Sequence, residues 1–302
     1  MSQVFFEKLT DAAGKGNVLV NEPMCKHITF RVGGNAAYFV EPENAEGVRR
    51  VIQLLKKENK PFFVMGNGSN LLITDEGYKG VIVKLGNKLS NVVISGNVLT
   101  VEAGAMLSRV AKLVCERGLA GMERISGIPG TIGGAVTMNA GAYGAEIRDI
   151  IVSAKLLDID TGEIFTLSKD ELRLSYRHSI VMEGNYIVLE AVFQLTKGNK
   201  EQIINVMNEC TALRKSKQPL EYGSAGSTFK RPEGYFAGKL IQDAGLSGYT
   251  VGGAQVSEKH CGFVINRGGA TAADVLAVIS HVQERVFEEF GVKLETEVYI
   301  LT

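Results

Sequence analysis

Hydrophobic positions along the first half of the chain switch between helical and strand spacing. Residues 47–58 and about 106–117 place apolar side chains at the i, i+3, i+4 and i+7 positions of amphipathic helices. Short apolar runs around these helices predict strands at 62–65, 71–73, 81–83 and 98–101. The pattern therefore predicts a fold that mixes short strands and helices.

The middle of the chain carries a hairpin pattern. A turn sequence at 160–162 separates the apolar runs 151–159 and 163–167, which predicts two antiparallel strands. Ser168 and Glu171 have the spacing of a capping box, and this spacing predicts a short helix directly after the hairpin.

The last third of the chain begins with two long elements. An apolar run predicts a strand over 187–195, and helical spacing predicts a helix over about 199–213. We place the domain boundary near Gly198, between these two elements.

The C-terminal pattern is a helix followed by a strand. Thr271 together with Asp274 predicts the start of the helix, and Gly291 predicts its C-cap. Residues 292–300 then alternate between apolar and polar side chains, which predicts a final strand with one buried face.

The charge balance argues against some classes of partner. The 302 residues include 33 basic and 33 acidic side chains, so the formal net charge is zero. We therefore expect no general affinity for nucleic acid or for acidic membrane surfaces. A local basic pocket for a phosphorylated small molecule is compatible with this balance.

Cysteine spacing and apolar run length bear on the compartment. The four cysteines are widely separated and form no CxxC pair, which predicts reduced thiols rather than disulfides or a zinc site. The N-terminus lacks an apolar segment of signal-peptide length, and no apolar run reaches the ~18 residues of a membrane span. We expect a cytoplasmic protein without membrane insertion and without a metal.

Glycine is abundant, with 35 residues against 6 prolines, and it clusters at 118–144 and 223–269. Clustered glycine indicates a backbone that turns sharply or approaches a ligand closely. A first glycine loop at 66–70 (GNGSN) follows a predicted strand. It is not a Rossmann fingerprint, because Leu71 replaces the third glycine and another strand follows. The loop is either an anion-binding nest or a tight turn between strands.

A second glycine loop spans 127–135 and continues into a small-residue stretch at 139–144. Glycine and alanine dominate there, as expected where a flat or anionic ligand lies against the main chain. The alternative is a buried crossover packed against helices. Two such loops in one domain favour a dinucleotide with a pyrophosphate.

Several motifs, taken together, resemble one family. They are TFRVGG at 29–34, GNGSN at 66–70, SGIPGTIGGAVTMNAGAYG at 126–144, SYRHS at 175–179, SAGSTFK at 224–230 and LETEV at 294–298. In this order and spacing, over about residues 20–302, they are similar to the UDP-N-acetylenolpyruvoylglucosamine reductase (UDP-N-acetylmuramate dehydrogenase) family. The chain resembles its shorter subtype, which lacks an extra tyrosine-bearing loop. These flavoenzymes act in the synthesis of peptidoglycan precursors.

The resemblance implies an α+β fold, with an FAD-binding domain of the vanillyl-alcohol-oxidase (PCMH) type followed by an α+β substrate-binding domain. We expect the first domain over 1–198, as two subdomains that meet near residue 60, and the second over 199–302. No histidine lies in 60–75 or 124–145, so we expect non-covalent FAD. The expected cofactor-binding residues are Gly66, Asn67, Gly68, Ser69, Asn70, Ile128, Pro129, Gly130, Thr131, Gly133, Gly134, Asn139 and Gly141.

The implied reaction reduces the enolpyruvyl group of a UDP-sugar, with NADPH as co-substrate, hydride from FAD added to C3 and a proton added to C2. Negative charge then develops at C2 and its carboxylate, so the site needs a cation and an acid. By resemblance, Arg177 grips the carboxylate, since a guanidinium can donate two parallel N–H bonds. By resemblance, Ser227 donates the proton, and Glu297 stabilises the enolic intermediate or assists protonation.

The substrate diphosphate calls for further positive charge. The expected substrate-binding residues are Arg214, Lys217, Lys230 and Lys259, with Arg231 and His260 as weaker candidates. Arg231 stands where the family often has an asparagine, so the contact at that position is open.

Two other interpretations compete with this one. The first is a different flavoprotein of the same fold, such as an alcohol or hydroxy-acid oxidase. The family spacing of Arg177, Ser227 and Glu297 argues against this interpretation. The second is a non-catalytic nucleotide-binding regulator, against which a flavin spectrum of the purified protein would count.

Overall fold

The structure is a computed structural model that describes residues 3–302. The helices in this range are α1 (Gln3–Ala13), α2 (Ala45–Lys57), α3 (Leu107–Glu116), α4 (Ile132–Thr137), α5 (Ile147–Ile150), α6 (Ile180–Glu183), α7 (Lys200–Lys217), α8 (Ala237–Asp243) and α9 (Ala272–Phe290). Single 3₁₀ turns lie at Met24–Lys26 and Asn87–Leu89.

The strands in the first half are β1 (Val18–Pro23), β2 (Asn35–Val40), β3 (Phe62–Met65), β4 (Leu71–Ile73), β5 (Tyr78–Lys84), β6 (Val92–Ser95), β7 (Val98–Glu102), β8 (Leu119–Ala120), β9 (Gly141–Ala142) and β10 (Ala145–Glu146). Those in the second half are β11 (Ile151–Asp158), β12 (Ile164–Ser168), β13 (Tyr186–Gln194), β14 (Thr196–Lys197), β15 (Thr250–Val251), β16 (Ala254–Val256), β17 (Val264–Asn266) and β18 (Tyr299–Leu301). The mixed composition confirms the predicted α+β class.

Most predicted elements have the predicted type. The helices predicted at 47–58, 106–117 and 199–213 are α2, α3 and α7, and the hairpin around 160–162 is the antiparallel pair β11 and β12. α2 begins where Asn44 caps it by accepting a hydrogen bond from the Gly47 amide, and it buries one apolar face.

Two sheets position the glycine loops. One has the strand order β1-β2-β5-β3, with β3 parallel to β5, and β3 delivers the first loop directly after Met65. The other is an antiparallel sheet with the order β12-β11-β13-β7-β6. α4, which contains the end of the second loop, packs against its central strand β13.

The C-terminal region is built around α9. Thr271 and Asp274 form the predicted capping box, and Gly291 closes the helix in the left-handed conformation, with φ of 66°. α9 packs against the antiparallel sheet β15-β16-β17. The last strand, β18, pairs in parallel with β4.

The chain folds into two compact units that are not contiguous in sequence. The first contains the chain up to Val20, Tyr38–Asn67 and Gly80–Leu213, and the second contains Asn21–Ala37, Gly68–Lys79 and Arg214–Thr302. The last change of unit falls inside α7, at 213–214, rather than near 198. The division into an FAD-binding domain over 1–198 and a substrate-binding domain over 199–302 stays a prediction about function.

The short helix predicted after the hairpin is wrong. Residues 169–173 form turns instead. The Glu171 carboxylate accepts hydrogen bonds from both the amide and the hydroxyl of Ser168, at 2.8 and 2.6 Å. The Ser168 side chain is therefore a donor here, whereas a capping box requires it to accept from the helix. Arg173, at a φ of 48°, adopts a left-handed conformation at the end of the segment.

The final strand is much shorter than predicted. Only Tyr299–Leu301 forms a ladder, because its partner β4 has three residues. The predicted alternation of burial still holds before the strand, where Leu294 and Val298 are buried and Glu295 is exposed. Glu297 therefore precedes the last strand instead of lying on its polar face.

We expect Asp75 to stabilise α9 from outside the helix. Its carboxylate accepts hydrogen bonds from the amides of Ala272 and Ala273, at 2.8 and 2.9 Å, where a negative charge also favours the helix dipole. Asp75→Ala should lower the free energy of unfolding by about 0.5–2 kcal/mol in urea denaturation. Glu76→Ala is the matched control, because the Glu76 side chain makes no hydrogen bond or ion pair within residues 3–302. Equal losses in both variants would contradict the assignment.

Candidate active site

The two glycine loops meet in the first unit. The Asn67 side chain at the end of β3 donates a hydrogen bond to the Pro129 carbonyl, at 2.6 Å. A β-carbon on Gly66 would overlap the Thr131 side chain. Glycine at 66 is therefore required by the approach of the second loop, and the start of the first loop lies against the second loop within the first unit.

The protein itself satisfies the first amides of α4. The Ile132 amide donates to the Ala105 carbonyl at 2.9 Å, and the Gly133 amide donates to the Ala103 carbonyl at 2.8 Å. The Gly134 amide faces the hydroxyl of Thr131 at 3.4 Å, which caps the helix. Fewer amides of residues 127–135 are therefore available to a ligand than the number of glycines suggests.

Other amides in the loops are available to a ligand. Within residues 3–302, the amides of Gly130 and Thr131 donate to no acceptor, and neither do those of Asn67, Gly68 and Ser69. Gly68 is buried and has a φ of 61°, the left-handed conformation that turns successive amides toward one point. The three of these amides that lie in the first unit, those of Asn67, Gly130 and Thr131, are a narrower candidate for an anion-binding surface.

Gly134 differs from its neighbour Gly133. A β-carbon on Gly133 would meet the Ala103 β-carbon at 2.9 Å, so packing within the protein requires this glycine. A β-carbon on Gly134 would have only the Thr131 hydroxyl nearby, at 3.6 Å, and Gly134 is exposed. Glycine at 134 therefore leaves the main chain open toward whatever lies against this loop.

The Asn139 side chain is fully used inside the protein. It has no exposed surface, and its amide group donates to the Glu146 carboxylate and to the Ser175 carbonyl, both at 2.9 Å. Its oxygen accepts a hydrogen bond from the Arg148 amide, also at 2.9 Å. Its predicted role as a cofactor ligand stays a prediction, and no side-chain N–H donor is left over for it.

Packing within the protein requires glycine at 141. It lies in the small ribbon of β9 and β10, where a β-carbon would meet the Glu146 side chain at 2.7 Å and the Ala145 carbonyl at 2.9 Å. Its contact with a cofactor stays a prediction.

Arg177 lies at the tip of a tight turn in the first unit. Ser175 and His178 exchange two backbone hydrogen bonds, each 3.1 Å long, which leaves Tyr176 and Arg177 as the two turn residues. Arg177 has a φ of 53°, and its guanidinium lies 5.1 Å from the centre of the Tyr176 ring. The turn thus presents a half-buried arginine beside an exposed aromatic ring.

Ion pairs brace the base of this turn. The Glu183 carboxylate contacts the His178 imidazole at 2.6 Å and the Arg173 guanidinium at 2.7 Å. All three side chains are partly exposed, so each pair adds little stability on its own.

Ser227 and Glu297 come together in the second unit. Phe229 and Thr296 form an antiparallel bridge, and hydrogen bonds of 2.8 and 2.9 Å flank it, from the Glu297 amide to the Thr228 carbonyl and from the Lys230 amide to the Glu295 carbonyl. The segment after Ser227 therefore runs alongside the segment of Glu297. Ser227 is exposed and Glu297 is half-buried.

Thr228 anchors this pair of segments. It is 1% exposed, its amide donates to the Gly262 carbonyl at 2.8 Å, and its hydroxyl accepts a hydrogen bond from the Val264 amide at 3.0 Å. On the other side, the Asn70 side chain donates to the Glu297 carbonyl at 3.0 Å. Asn70, expected as a cofactor ligand, thus also holds the Glu297 segment in place.

His260 lies in the loop that holds Thr228. Its Nδ1 accepts a hydrogen bond from the Gly262 amide at 3.1 Å, so the proton of the neutral ring is on Nε2. Burial lowers the pKa of His260 below its ordinary value, which keeps the ring neutral at pH 7. His260 can therefore offer a ligand the Nε2–H donor of a neutral ring, but not a positive charge.

The predicted substrate-binding cations differ in availability. The Lys230 ammonium pairs with the Glu295 carboxylate at 3.1 Å, and the Lys259 ammonium donates to the Lys215 carbonyl at 2.7 Å. Arg214 donates to the Gln218 side chain at 2.9 Å. Lys217 is exposed and has no side-chain partner within residues 3–302, so its charge is the most available of the four.

The described residues contain no cluster of three or more His, Cys, Asp or Glu side chains placed to hold a metal ion. All four cysteines are free thiols, and burial raises the pKa of Cys115 to about 12. Over residues 3–302 no helix is long and apolar enough to cross a bilayer.

Comparisons with known protein families and structures agree with this architecture. Residues 36–168 match the family described as FAD binding domain, and residues 218–301 match the family described as UDP-N-acetylenolpyruvoylglucosamine reductase, C-terminal domain. The FAD-binding family followed by the reductase C-terminal family confirms the predicted order of folds. A grass pollen allergen with glucose dehydrogenase activity, Phl p 4, shares the fold over 65% of this chain and 44% of its own, at 15% identity and a TM-score of 0.51.

Full-length relatives narrow the assignment. A UDP-N-acetylenolpyruvoylglucosamine reductase of Agathobacter rectalis is 52% identical, covering 100% of this chain and 99% of the relative. That of Caldanaerobacter subterraneus subsp. tengcongensis is 48% identical over the same shares. The crystal structure of the enzyme from Thermus caldophilus matches with a TM-score of 0.80 at 33% identity, covering 94% of this chain and 98% of that one. The chain belongs to the UDP-N-acetylenolpyruvoylglucosamine reductase family.

Proposed function

We propose that the chain reduces the enolpyruvyl group of UDP-N-acetylglucosamine-enolpyruvate to give UDP-N-acetylmuramate, with FAD as cofactor and NADPH as co-substrate. The observation that carries this conclusion is the 52% identity to a reductase of that name over the whole of both chains. The reaction is an oxidoreduction at a CH–CH bond in the synthesis of peptidoglycan precursors. We place it in the cytoplasm, on a UDP-sugar and without nucleic acid as a partner.

The loops of the first unit fit FAD. When bound, FAD takes hydride from NADPH and delivers it to C3 of the substrate. The amides of Asn67, Gly130 and Thr131 have no acceptor within residues 3–302 and suit a pyrophosphate. Gly134 leaves an uncovered stretch of main chain against which a flat ring system can lie.

Arg177 is assigned to the substrate carboxylate. Addition of hydride to C3 leaves negative charge on C2 and its carboxylate, and a guanidinium stabilises this charge with two parallel N–H bonds. The brace of Arg173, His178 and Glu183 limits the freedom of the turn that carries Arg177. A fixed guanidinium requires little reorganisation when the charge develops.

Ser227 is assigned to protonation of C2. A hydroxyl is a weak acid, so it must be held where the developing carbanion is the strongest base nearby. The paired segments around Thr228 and Glu297 support this assignment, because they fix the backbone next to Ser227. Glu297 is assigned to stabilising the enolic intermediate or assisting protonation, and Lys217 to the charge of the diphosphate.

The first prediction concerns the open main chain at Gly134. Gly134→Ala should leave the apoprotein as stable as before, or up to about 1 kcal/mol more stable, because alanine favours a helix. FAD affinity should nevertheless fall, as measured by fluorescence titration of the apoprotein. Gly133→Ala is the matched control: it should destabilise the apoprotein by roughly 1–3 kcal/mol through overlap with Ala103. Unchanged FAD affinity in Gly134→Ala would show that the cofactor does not lie against the main chain at this position.

The second prediction separates the two half-reactions. Ser227→Ala should leave bleaching of the flavin by NADPH nearly intact, since that step needs no proton at C2. Reoxidation by the enolpyruvyl substrate should slow by roughly 10²–10⁴-fold. Stopped-flow absorbance of the flavin, under strictly anaerobic conditions, measures both steps.

Ser224→Ala is the matched control, because Ser224 lies in the same glycine-rich segment and its hydroxyl makes no hydrogen bond within residues 3–302. Equal slowing of both half-reactions by Ser227→Ala, in folded and FAD-loaded protein, would show that the proton-donor assignment is wrong. Loss of turnover without oxygen in the unmodified enzyme would instead favour an oxidase.

The third prediction is that FAD is bound non-covalently. Although no histidine lies near the loops in sequence, the Thr29 amide donates to the Gly68 carbonyl at 3.2 Å, which brings His27 close to the first loop. The His27 imidazole contacts the Glu22 carboxylate at 2.9 Å. Acid precipitation should release all of the yellow colour into the supernatant. Colour that stays in the pellet, and is lost from the pellet in His27→Ala, would establish a covalent link instead.

A further inference from the structure

Arg177 occupies a backbone conformation that its surroundings must maintain. Its φ of 53° is left-handed, which a residue with a β-carbon adopts at an energetic cost. The two backbone hydrogen bonds between Ser175 and His178 close the turn, but they do not fix the turn relative to the rest of the first unit. Contacts from outside the turn must do so.

Besides the partly exposed contacts of Glu183, two buried side chains supply such contacts, one on each side of the turn. Before the turn, the Asn139 amide donates to the Ser175 carbonyl at 2.9 Å. After the turn, the Ser179 hydroxyl donates to the Thr137 carbonyl at 2.7 Å. Both bonds run between the turn and residues 137–139, the end of the second glycine loop. We call this pair of bonds the Asn139–Ser179 clamp.

Both side chains of the clamp are buried. Asn139 and Ser179 are each 0% exposed. The remaining groups of Asn139 are held by the Glu146 carboxylate and the Arg148 amide, so its side chain has one orientation. Buried hydrogen bonds of this kind are strongly favoured, because a broken one leaves an unsatisfied polar group away from water.

We propose that Asn139 and Ser179 are positioning residues for Arg177. Neither is assigned a contact with substrate. They hold the turn at residues 175–178 against the end of the second glycine loop, so that the guanidinium is in place before substrate arrives. The inference rests on the proposed role of Arg177. It assigns two further residues to the reaction, whose effect is to position the Arg177 guanidinium.

The test uses the FAD-loaded enzyme and the two half-reactions. Ser179→Ala and Asn139→Ala should each slow reoxidation by the enolpyruvyl substrate by roughly 10- to 100-fold, since a displacement of about 1 Å can cost ~10²-fold. Bleaching by NADPH should change by less than about threefold in Ser179→Ala. Glu146→Gln is the control, because its side-chain oxygen can still accept from Asn139, and it should leave both steps nearly unchanged.

A double-mutant cycle distinguishes positioning from general support of the fold. In an Arg177→Ala background, Ser179→Ala should cause no further slowing of reoxidation, because the group that it positions is gone. Hydrogen–deuterium exchange at residues 175–178 should rise in Ser179→Ala, in the apoprotein as well as in the holoenzyme. Ser179→Ala removes one oxygen atom, so it remains informative if Asn139→Ala does not fold.

The outcomes separate two possible failures. If Arg177→Ala itself leaves reoxidation intact, the proposed role of Arg177 is wrong. If Arg177→Ala slows reoxidation but Ser179→Ala slows it further by the same factor in both backgrounds, the clamp does not act through the arginine. Equal slowing of both half-reactions by either clamp variant also overturns the proposal.

Discussion

Main-chain segments in the first unit approach each other so closely that a β-carbon cannot be accommodated between them. Gly66 lies against Thr131, and Gly133 lies against Ala103, whose carbonyl accepts the Gly133 amide. The first contact brings the end of β3 against the start of α4, and the second holds α4 against the chain that follows β7. A side chain at 66 would move the first loop away from the second, and one at 133 would move α4 away from Ala103.

The same close packing assigns different tasks to neighbouring residues. Around α4, the amides of Ile132 and Gly133 are consumed by the protein, whereas those of Gly130 and Thr131 are not. Gly133 is glycine because of packing, but Gly134 has space around it. A glycine-rich loop is therefore a mixture of structural glycines and ligand-facing glycines, which hydrogen bonds and contacts distinguish and composition does not.

Local sequence patterns predicted a helix correctly where its capping residues or its apolar spacing determine its position. The capping box at Thr271 and the left-handed Gly291 define α9 at both ends, and helical spacing located α2 and α3. The predictions failed where tertiary contacts decide. The Glu171 carboxylate takes both donors of Ser168, so no helix forms there, and the three residues of β4 limit the length of β18. No local sequence pattern marks the positions at which the chain passes from one compact unit to the other.

The candidate site shows the same limit. Motif resemblance supplied Arg177, Ser227 and Glu297, and their roles in the reaction stay predictions. It also assigned Asn70 and Asn139 to the cofactor, which stays a prediction, but no sequence pattern pointed to the hydrogen bonds that their side chains donate to the Glu297 and Ser175 carbonyls.

The bonds of Asn70 and Asn139 give the two loops a second task within each unit. In each case an asparagine from a glycine loop holds the backbone of a residue to which we assign a role in the reaction: Asn139 beside the turn of Arg177, and Asn70 beside Glu297. An asparagine suits this task, because its amide group donates to a carbonyl without adding charge. A change at either asparagine therefore removes a hydrogen bond to the backbone next to Arg177 or Glu297, without removing a main-chain amide of the loops.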